Sequence, residues 1–371
     1  MYSEMEDRIV RSVGVEEELL LVDPESGESR AVSSAVLAVP AQDADAEDVF
    51  EKELHGEQLE FATRPQFSMG DLGAEIRRWR AEAGRRAQEV GAAAVALATS
   101  PLTVSPTVNT GDRHRWIEKQ FGMPVQEQLT CGCHVHVSVE SDEEGVQVLD
   151  RIRPWLPVLT AMSANSPFWQ GSDTGYNSYR NRVWGRWPSA GPVEIFGSAE
   201  NYHRQVADLL ETGVLKDKGM VYFDARLSHN FPTVEIRVAD VCLEASTTVL
   251  LATLARGLVE TAARAHRAGE PPVPHGVGPL RLAQWRAARS GLTDRLVHPE
   301  TLHPEPAADV VQALLTHVGP ALEDAGDTDD VRRATAELLK GGTGAEVQRA
   351  LLKETGSLRR TVSECVRRSA A

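Results

Sequence analysis

Gly14-Val15-Glu16-Glu17-Glu18-Leu19-Leu20-Leu21-Val22 sets three consecutive carboxylates inside an apolar run. Asp23-Pro24-Glu25-Ser26-Gly27 follows and signals a turn. A short apolar run that ends in such a turn predicts a β-strand. Side chains alternate faces along a strand. Glu16 and Glu18 therefore share one face, and Val13, Val15, Glu17, Leu19 and Leu21 share the other. Two carboxylates side by side on a buried strand repel each other, and both stay ionised only with a cation between them. An edge strand with solvated glutamates would account for this stretch alone. The balance shifts because similar strands recur.

Gln58-Leu59-Glu60-Phe61-Ala62 alternates in the same way and puts Glu60 on its polar face, with Glu53 a few residues upstream. Thr130-Cys131-Gly132-Cys133-His134-Val135-His136-Val137-Ser138-Val139 looks at first like a zinc cluster. Alternation argues against that: Cys131 and Cys133 go with Val135 and Val137 as small core residues, while His134 and His136 share the polar face. Thr233-Val234-Glu235-Ile236-Arg237-Val238-Ala239-Asp240 sets Thr233, Glu235, Arg237 and Ala239 against Val234, Ile236 and Val238. Glu235 and Arg237 could simply pair with each other.

Outward from these strands the chain reads mostly as helix. Ser68 begins an amphipathic helix with Leu72, Ile76, Trp79, Ala83 and Ala87 on one face, and with Arg77, Arg78, Arg85 and Arg86 on a face expected in solvent. Helices are expected over 112–121, 149–164, 201–212, 244–268, 280–291, 307–325, 330–339 and 345–368. Ala93–Ala98 and Met220–Arg226 are expected as strands, and Ala41–Glu53 as an acidic loop. Asn165 to Arg180, rich in hydrogen-bonding and aromatic residues, suits recognition of a small polar substrate or a structural loop equally. The fold class is α+β. One catalytic domain is expected over residues 1–371, with a sheet-forming core over about 8–243 and a helical portion over about 244–371.

Composition excludes several classes. With 39 Lys and Arg against 54 Asp and Glu, the net charge is −15, which disfavours nucleic acid and anionic membranes as partners. The first residues, Met1 to Asp7, lack the apolar core of a secretory signal, and no apolar run would span a bilayer. Four cysteines in 371 residues do not make a disulfide framework. The expectation is a cytoplasmic enzyme of small molecules, compatible with a homo-oligomer.

Collected, the polar faces supply Glu16, Glu18, Glu60, His134, Glu235 and Arg237, with Glu53 nearby. Ligands that are mostly oxygen point to Mg²⁺, with Mn²⁺ as a substitute, and this many carboxylates suggest more than one ion. Mg²⁺ at such a site normally partners phosphate oxygens, so ATP is the expected co-substrate. No Gly-x-x-x-x-Gly-Lys-[Ser/Thr] loop is present. Phosphate would then be held by metal and arginine on a sheet.

The motifs Gly-Val-Glu-Glu-Glu, Glu-Gln-Leu-Glu-Phe-Ala-Thr, Cys-Gly-Cys-His-Val-His-Val, Ala-Asn-Ser-Pro-Phe-Trp-Gln-Gly-Ser-Asp-Thr-Gly-Tyr and Pro-Thr-Val-Glu-Ile-Arg-Val-Ala-Asp resemble the type 2 bacterial glutamate–cysteine ligases, the carboxylate–amine ligases. They run in that family's order, and the resemblance extends to Trp285 and Gly344. It implies a glutamine-synthetase-like catalytic domain, a curved antiparallel sheet flanked by helices. It implies Mg²⁺ ligation by Glu16, Glu18, Glu60, His134 and Glu235, with Glu53 as an adjacent acid, and contact of Arg237 with phosphate or the substrate carboxylate. Tyr176, Arg180, His136 and Arg226 are assigned to substrate binding. Three departures bear on the substrate more than on the chemistry. Ala98-Thr99-Ser100-Pro101 replaces Gly-Thr-His-Pro, Ser138 replaces a glycine, and Arg226-Leu227-Ser228 replaces Arg-Pro-Ser.

The implied reaction is ATP-dependent amide formation through an acyl phosphate on a carboxylate, glutamate's side chain in the family. Three alternatives stay open at this point: a metal-dependent hydrolase without nucleotide, a family member using a different acid and amine, and a binding protein that kept the fold.

Overall fold

The run of alternating residues at Val13–Val22 is strand β1. The computed structural model describes residues 10–42 and 49–369. Met1 to Asp7 and the middle of the expected loop at 41–53 lie outside them. After β1 come β2 (Phe50–Lys52), β3 (Gln58–Ala62), β4 (Ala93–Val95) and β5 (Gly132–Ser138). A small hairpin, β6 (Phe168–Trp169) with β7 (Ser172–Asp173), precedes β8 (Ala225–Leu227) and β9 (Thr233–Asp240). β10 (Arg295–Val297) and β11 (Pro304–Pro306) form a separate pair. The main sheet is antiparallel in the order β2-β3-β1-β5-β9-β8, with β4 on the far end of β1.

The helices are α1 (Ser33–Ala38), α2 (Met69–Glu89), α3 (Asp112–Phe121), α4 (Met123–Glu127), α5 (Asp142–Ile152), α6 (Leu156–Ser163), α7 (Tyr179–Trp184) and α8 (Ala199–Glu211). After the sheet follow α9 (Ala245–Arg267), α10 (Val277–Ser290), α11 (Ala307–Ala325), α12 (Thr328–Gly341), α13 (Gly344–Thr355) and α14 (Leu358–Ser369). None of these helices is long and apolar enough to cross a membrane.

One face of the sheet is core. Val13, Val15, Leu19 and Leu21 of β1 join Leu59, Phe61, Cys133, Val135, Val137, Val234 and Ile236 in one apolar cluster. Leu72, Ile76, Trp79 and Ala83 of α2 and Leu250, Leu254 and Leu258 of α9 pack into it. Glu17 shares this face, as alternation requires. It is 0% exposed, and its carboxylate is held by the equally buried Arg80 of α2. Burying an acid in a core demands such a partner.

The structure corrects several expectations. The helix expected over 149–164 is two, parted by a 3₁₀ turn at Arg153–Trp155, because Pro154 and Pro157 lack the N–H that a continuous helix uses. The helix expected over 345–368 breaks at Gly356, which takes a left-handed φ of 64°. Met220–Arg226 is strand only at its end. Ser189 occupies the Met220 carbonyl and the Tyr222 amide, and Arg226 takes the Val221 carbonyl, so these groups are lost to the ladder. The expected loop over 41–53 contains β2. Arg86 is buried against the Phe50 ring and pairs with Glu82, so it leaves the solvated face.

Strict alternation also fails at one place on β9. Val135 pairs with Ile236 but Cys133 pairs with Ala239, so one residue of β5 faces two of β9. This bulge flips the parity beyond it. Ala239 turns to the core with Cys133, and Asp240 lies opposite Gly132.

Candidate active site

The other face of the sheet carries the acids and histidines, and register brings them together. Glu18 lies opposite Glu60, Glu16 opposite His134, His136 opposite Glu235, and Glu235 opposite Arg226. Cross-strand partners stand close enough for their side chains to touch. Above this row is a cleft of about 810 Å³, lined among others by Glu16, Glu18, Glu53, Glu60, His134 and Arg237.

Glu16 is the hub. His134 Nδ1 lies 3.0 Å from one carboxylate oxygen and His136 Nε2 3.2 Å from the other. Two groups of donors could each hold a cation, with ligand atoms all within 4.8 Å of one another: Glu16, Glu60 and His134, and Glu16, His136 and Glu235. Both contain Glu16, and neither contains a cysteine. All four cysteines are buried, Cys131 and Cys133 within the apolar cluster, and burial pushes the thiols of those two well up. His136, assigned above to substrate, thus stands among the donors.

The charges report crowding. Burial, then the Glu53 charge, raises Glu18 to about 7, against Arg180, the Gly132 amide and Arg237. Burial and the neighbouring Glu53, Glu16 and Glu18 raise Glu60 well above the carboxylate range. Burial works against ionised Glu16 too, but hydrogen bonds from His134 and His136 prevail and hold its carboxyl far down. Burial and Arg237 lower His134 to about 4, leaving a neutral imidazole suited to metal binding. His134 Nε2 is buried without a hydrogen-bond partner. Carboxylates at this density, with neutral imidazole, fit a hard divalent cation.

Glu235 is held from two sides. Arg226 grips it through Nε at 2.7 Å and a second nitrogen at 3.1 Å, and spends its third on the Gly219 and Val221 carbonyls. Four of the five N–H groups of Arg226 are thus engaged within the protein, and although it lines the cleft only one Nη2 N–H is left for a substrate. Arg237 also bonds Glu235, and its other neighbours are His134 and the rings of Trp184 and Tyr222. The salt bridge expected as the plainer role of Arg237 is thus present, alongside its position in the cleft. Opposed by burial, these two arginines hold the Glu235 carboxyl far below the usual range.

The loop Asn165 to Arg180 divides. Asn165, Ser166 and Ser178 donate to the buried Asp240, which pins the loop to the bulged end of β9. Tyr176 turns away from the carboxylate row. Its hydroxyl accepts from Trp285, and Arg289 lies over its ring beside a second, open cleft. Arg180 stays close to the row, across Gly132. Sequence reasoning missed Arg113, His114, Gln128, Trp184 and Tyr222, which also line the cleft from α3, the end of α7 and the loops. Nothing in their local pattern marks them, since they reach the cleft only through tertiary folding.

A profile described as Glutamate-cysteine ligase family 2 (GCS2) matches residues 12–364. A Streptomyces avermitilis protein named "Putative glutamate--cysteine ligase 2-1" is 66% identical over 360 residues, covering 97% of this chain and 99% of its own. A Streptomyces coelicolor protein named "Putative glutamate--cysteine ligase 2" is 63% identical over 362 residues, 98% of this chain and 100% of its own. The crystal structure of a Francisella tularensis glutamate–cysteine ligase in complex with AMP superposes with a TM-score of 0.71 at 12% identity, covering 97% of this chain and 88% of that one. A bifunctional glutathione synthetase from Pasteurella multocida gives 0.71 at 15% identity, covering 97% and 52%. Those two likenesses speak for the fold, an antiparallel sheet flanked by helices. By the profile and the two Streptomyces relatives, the chain belongs to the glutamate–cysteine ligase family 2.

Proposed function

We propose that this ligase joins a carboxylate to an amine at the expense of ATP, releasing ADP and phosphate. The observation that carries the reading is the row of acids and histidines across β3, β1, β5 and β9, with two cation-binding groups sharing Glu16. Glu16, Glu60, His134, His136 and Glu235 would hold Mg²⁺ or Mn²⁺, with Glu18 and Glu53 adjacent. Such ions, when bound, neutralise and orient the ATP phosphates. The substrate carboxylate oxygen attacks the γ-phosphorus, the bond to the β-phosphate oxygen breaks, and ADP leaves. The amine then attacks the acyl carbon, phosphate departs with the bonding pair, and the proton the amine loses passes to that phosphate. The family resemblance favours the side chain of glutamate as the acid, and the named relatives favour cysteine as the amine.

The test is product analysis with Mg²⁺ across pairs of amino acids and amines. ADP and phosphate should form only when acid and amine are both present. AMP and pyrophosphate would exclude an acyl phosphate.

In this reading Arg237 would stabilise the phosphoryl group in flight. Because Arg226 already holds Glu235 with two hydrogen bonds, Glu235 keeps a cationic partner when Arg237 turns to a ligand. Arg237→Lys is expected to lower kcat by about 10²-fold, since an ammonium cannot span two oxygens as the planar fork does. Were Arg237 only a salt-bridge partner, lysine would largely substitute, and steady-state kinetics would show a near-normal kcat.

A further inference from the structure

Eight arginines are buried among the described residues. Seven of them, Arg11, Arg80, Arg86, Arg153, Arg226, Arg237 and Arg256, hold a carboxylate or a backbone carbonyl. Arg180 does not. It is 2% exposed, its Nε is buried without a hydrogen-bond partner, and no hydrogen bond or ion pair ties its guanidinium to the described residues. A buried cation in that state is costly and calls for an acceptor.

Its surroundings say where the acceptor would come from. The guanidinium lies on Gly132, so closely that a Cβ there would fall 2.2 Å from Nη2. The Gly132 amide donates to Glu18 at 2.7 Å, and the ring of Trp184 covers the guanidinium at 5.5 Å. Glu18 and Trp184 both line the cleft. Asp240 acts on Arg180 through space, but its oxygens are taken by Asn165, Ser166 and Ser178. Asp224 and Glu18 also act only through space.

We infer that Arg180 receives an oxyanion of a substrate at the inner end of the cleft, and that position 132 is glycine to admit the guanidinium. The inference rests on the ligase reading for the identity of that substrate. A carboxylate and a phosphoryl group share the chemistry, two oxygens facing two parallel N–H groups. The carboxylate of the acid substrate is favoured, because Arg237 and the cation-binding row already serve the phosphates. The plain rival is that Arg180 only balances the acids around it.

Arg180→Lys separates the two, since it keeps the charge and loses the fork. Its KM for the acid substrate should rise about 10²-fold, with the KM for ATP and for the amine within threefold and the melting temperature within a few degrees. Gly132→Ala should move the same KM in the same direction while keeping the amide. Binding is read without turnover as the melting shift given by glutamate or by inorganic phosphate. Wild type should be shifted by glutamate and Arg180→Lys should not, so the inference is judged even if no acid and amine pair gives product. Normal kinetics or an undiminished shift in Arg180→Lys would reduce the residue to a counter-charge. A raised KM for ATP alone, or a shift by phosphate and not by glutamate, would overturn the carboxylate assignment, and no shift of wild type by either would overturn the site.

Discussion

Glu16→Gln is expected to lower kcat by about 10³-fold at saturating Mg²⁺ while the protein stays folded. The loss should be large because Glu16 belongs to both cation-binding groups, whereas Glu60, His134, His136 and Glu235 each belong to one. The swap keeps volume and removes the charge at the centre of the row. It also weakens the partner that His134 and His136 share, so two imidazoles lose orientation together with the carboxylate. The Mg²⁺ concentration for half activation should rise with the fall in kcat. The melting temperature should fall modestly, because the hydrogen bonds from His134 and His136 that hold the Glu16 carboxyl far down also favour the folded state, and relief of the Glu60 crowding offsets only part of that loss. Mg²⁺ titration of the rate, run beside a melting curve, checks all three. A variant that keeps most of its rate at low Mg²⁺ would remove Glu16 from the site.

The sheet was legible because its period is two and its patterns are strong. β1, β3, β5 and β9 all alternate, and the faces assigned to Glu16, Glu18, Glu60, His134, Glu235 and Arg237 follow from that alone. What alternation cannot carry is a change of parity inside a strand. The bulge between β5 and β9 turned Ala239 to the core and put Asp240 opposite Gly132, where it anchors the Asn165–Ser178 loop. Nor does a pattern say which charged residues pair. Arg226 reads as a free arginine on a strand, yet four of its five N–H groups are spent on Glu235 and two carbonyls. Tyr176 lies in a polar, aromatic loop that suits recognition, but the loop's course carries it to Trp285. Arg80 shows the same limit within a helix. Its spacing puts it one residue from Trp79, on the edge of the apolar face, and nothing local says that an acid waits opposite.

That acid is Glu17, and the pair supplies the largest stability effect expected in the molecule. Arg80 is 4% exposed and Glu17 0% exposed. Arg80 donates two hydrogen bonds to Glu17, both at 2.8 Å, and others to the Leu243 and Cys242 carbonyls at the entry to α9. Thr248 of α9 donates to Glu17 at 2.6 Å. The pair therefore ties α2 and α9 to β1 through the middle of the core. Arg80→Met leaves Glu17 buried with its charge uncompensated and two carbonyls without donors, and should cost about 3–5 kcal/mol in chemical denaturation. Glu17→Leu alone should cost a similar amount, since it strands the guanidinium instead. The double variant Arg80→Met, Glu17→Leu removes both charges together, and should be more stable than either single variant by about 1–4 kcal/mol. The comparison fixes the meaning of the contact. Recovery in the double variant would show that the singles fail through stranded charge, so the pair's own net contribution is small and its role is to set where two helices meet the sheet. Additive losses would instead make each residue's packing the cause, and single variants within 1 kcal/mol of wild type would mean that water reaches the site and the pair is not buried in solution.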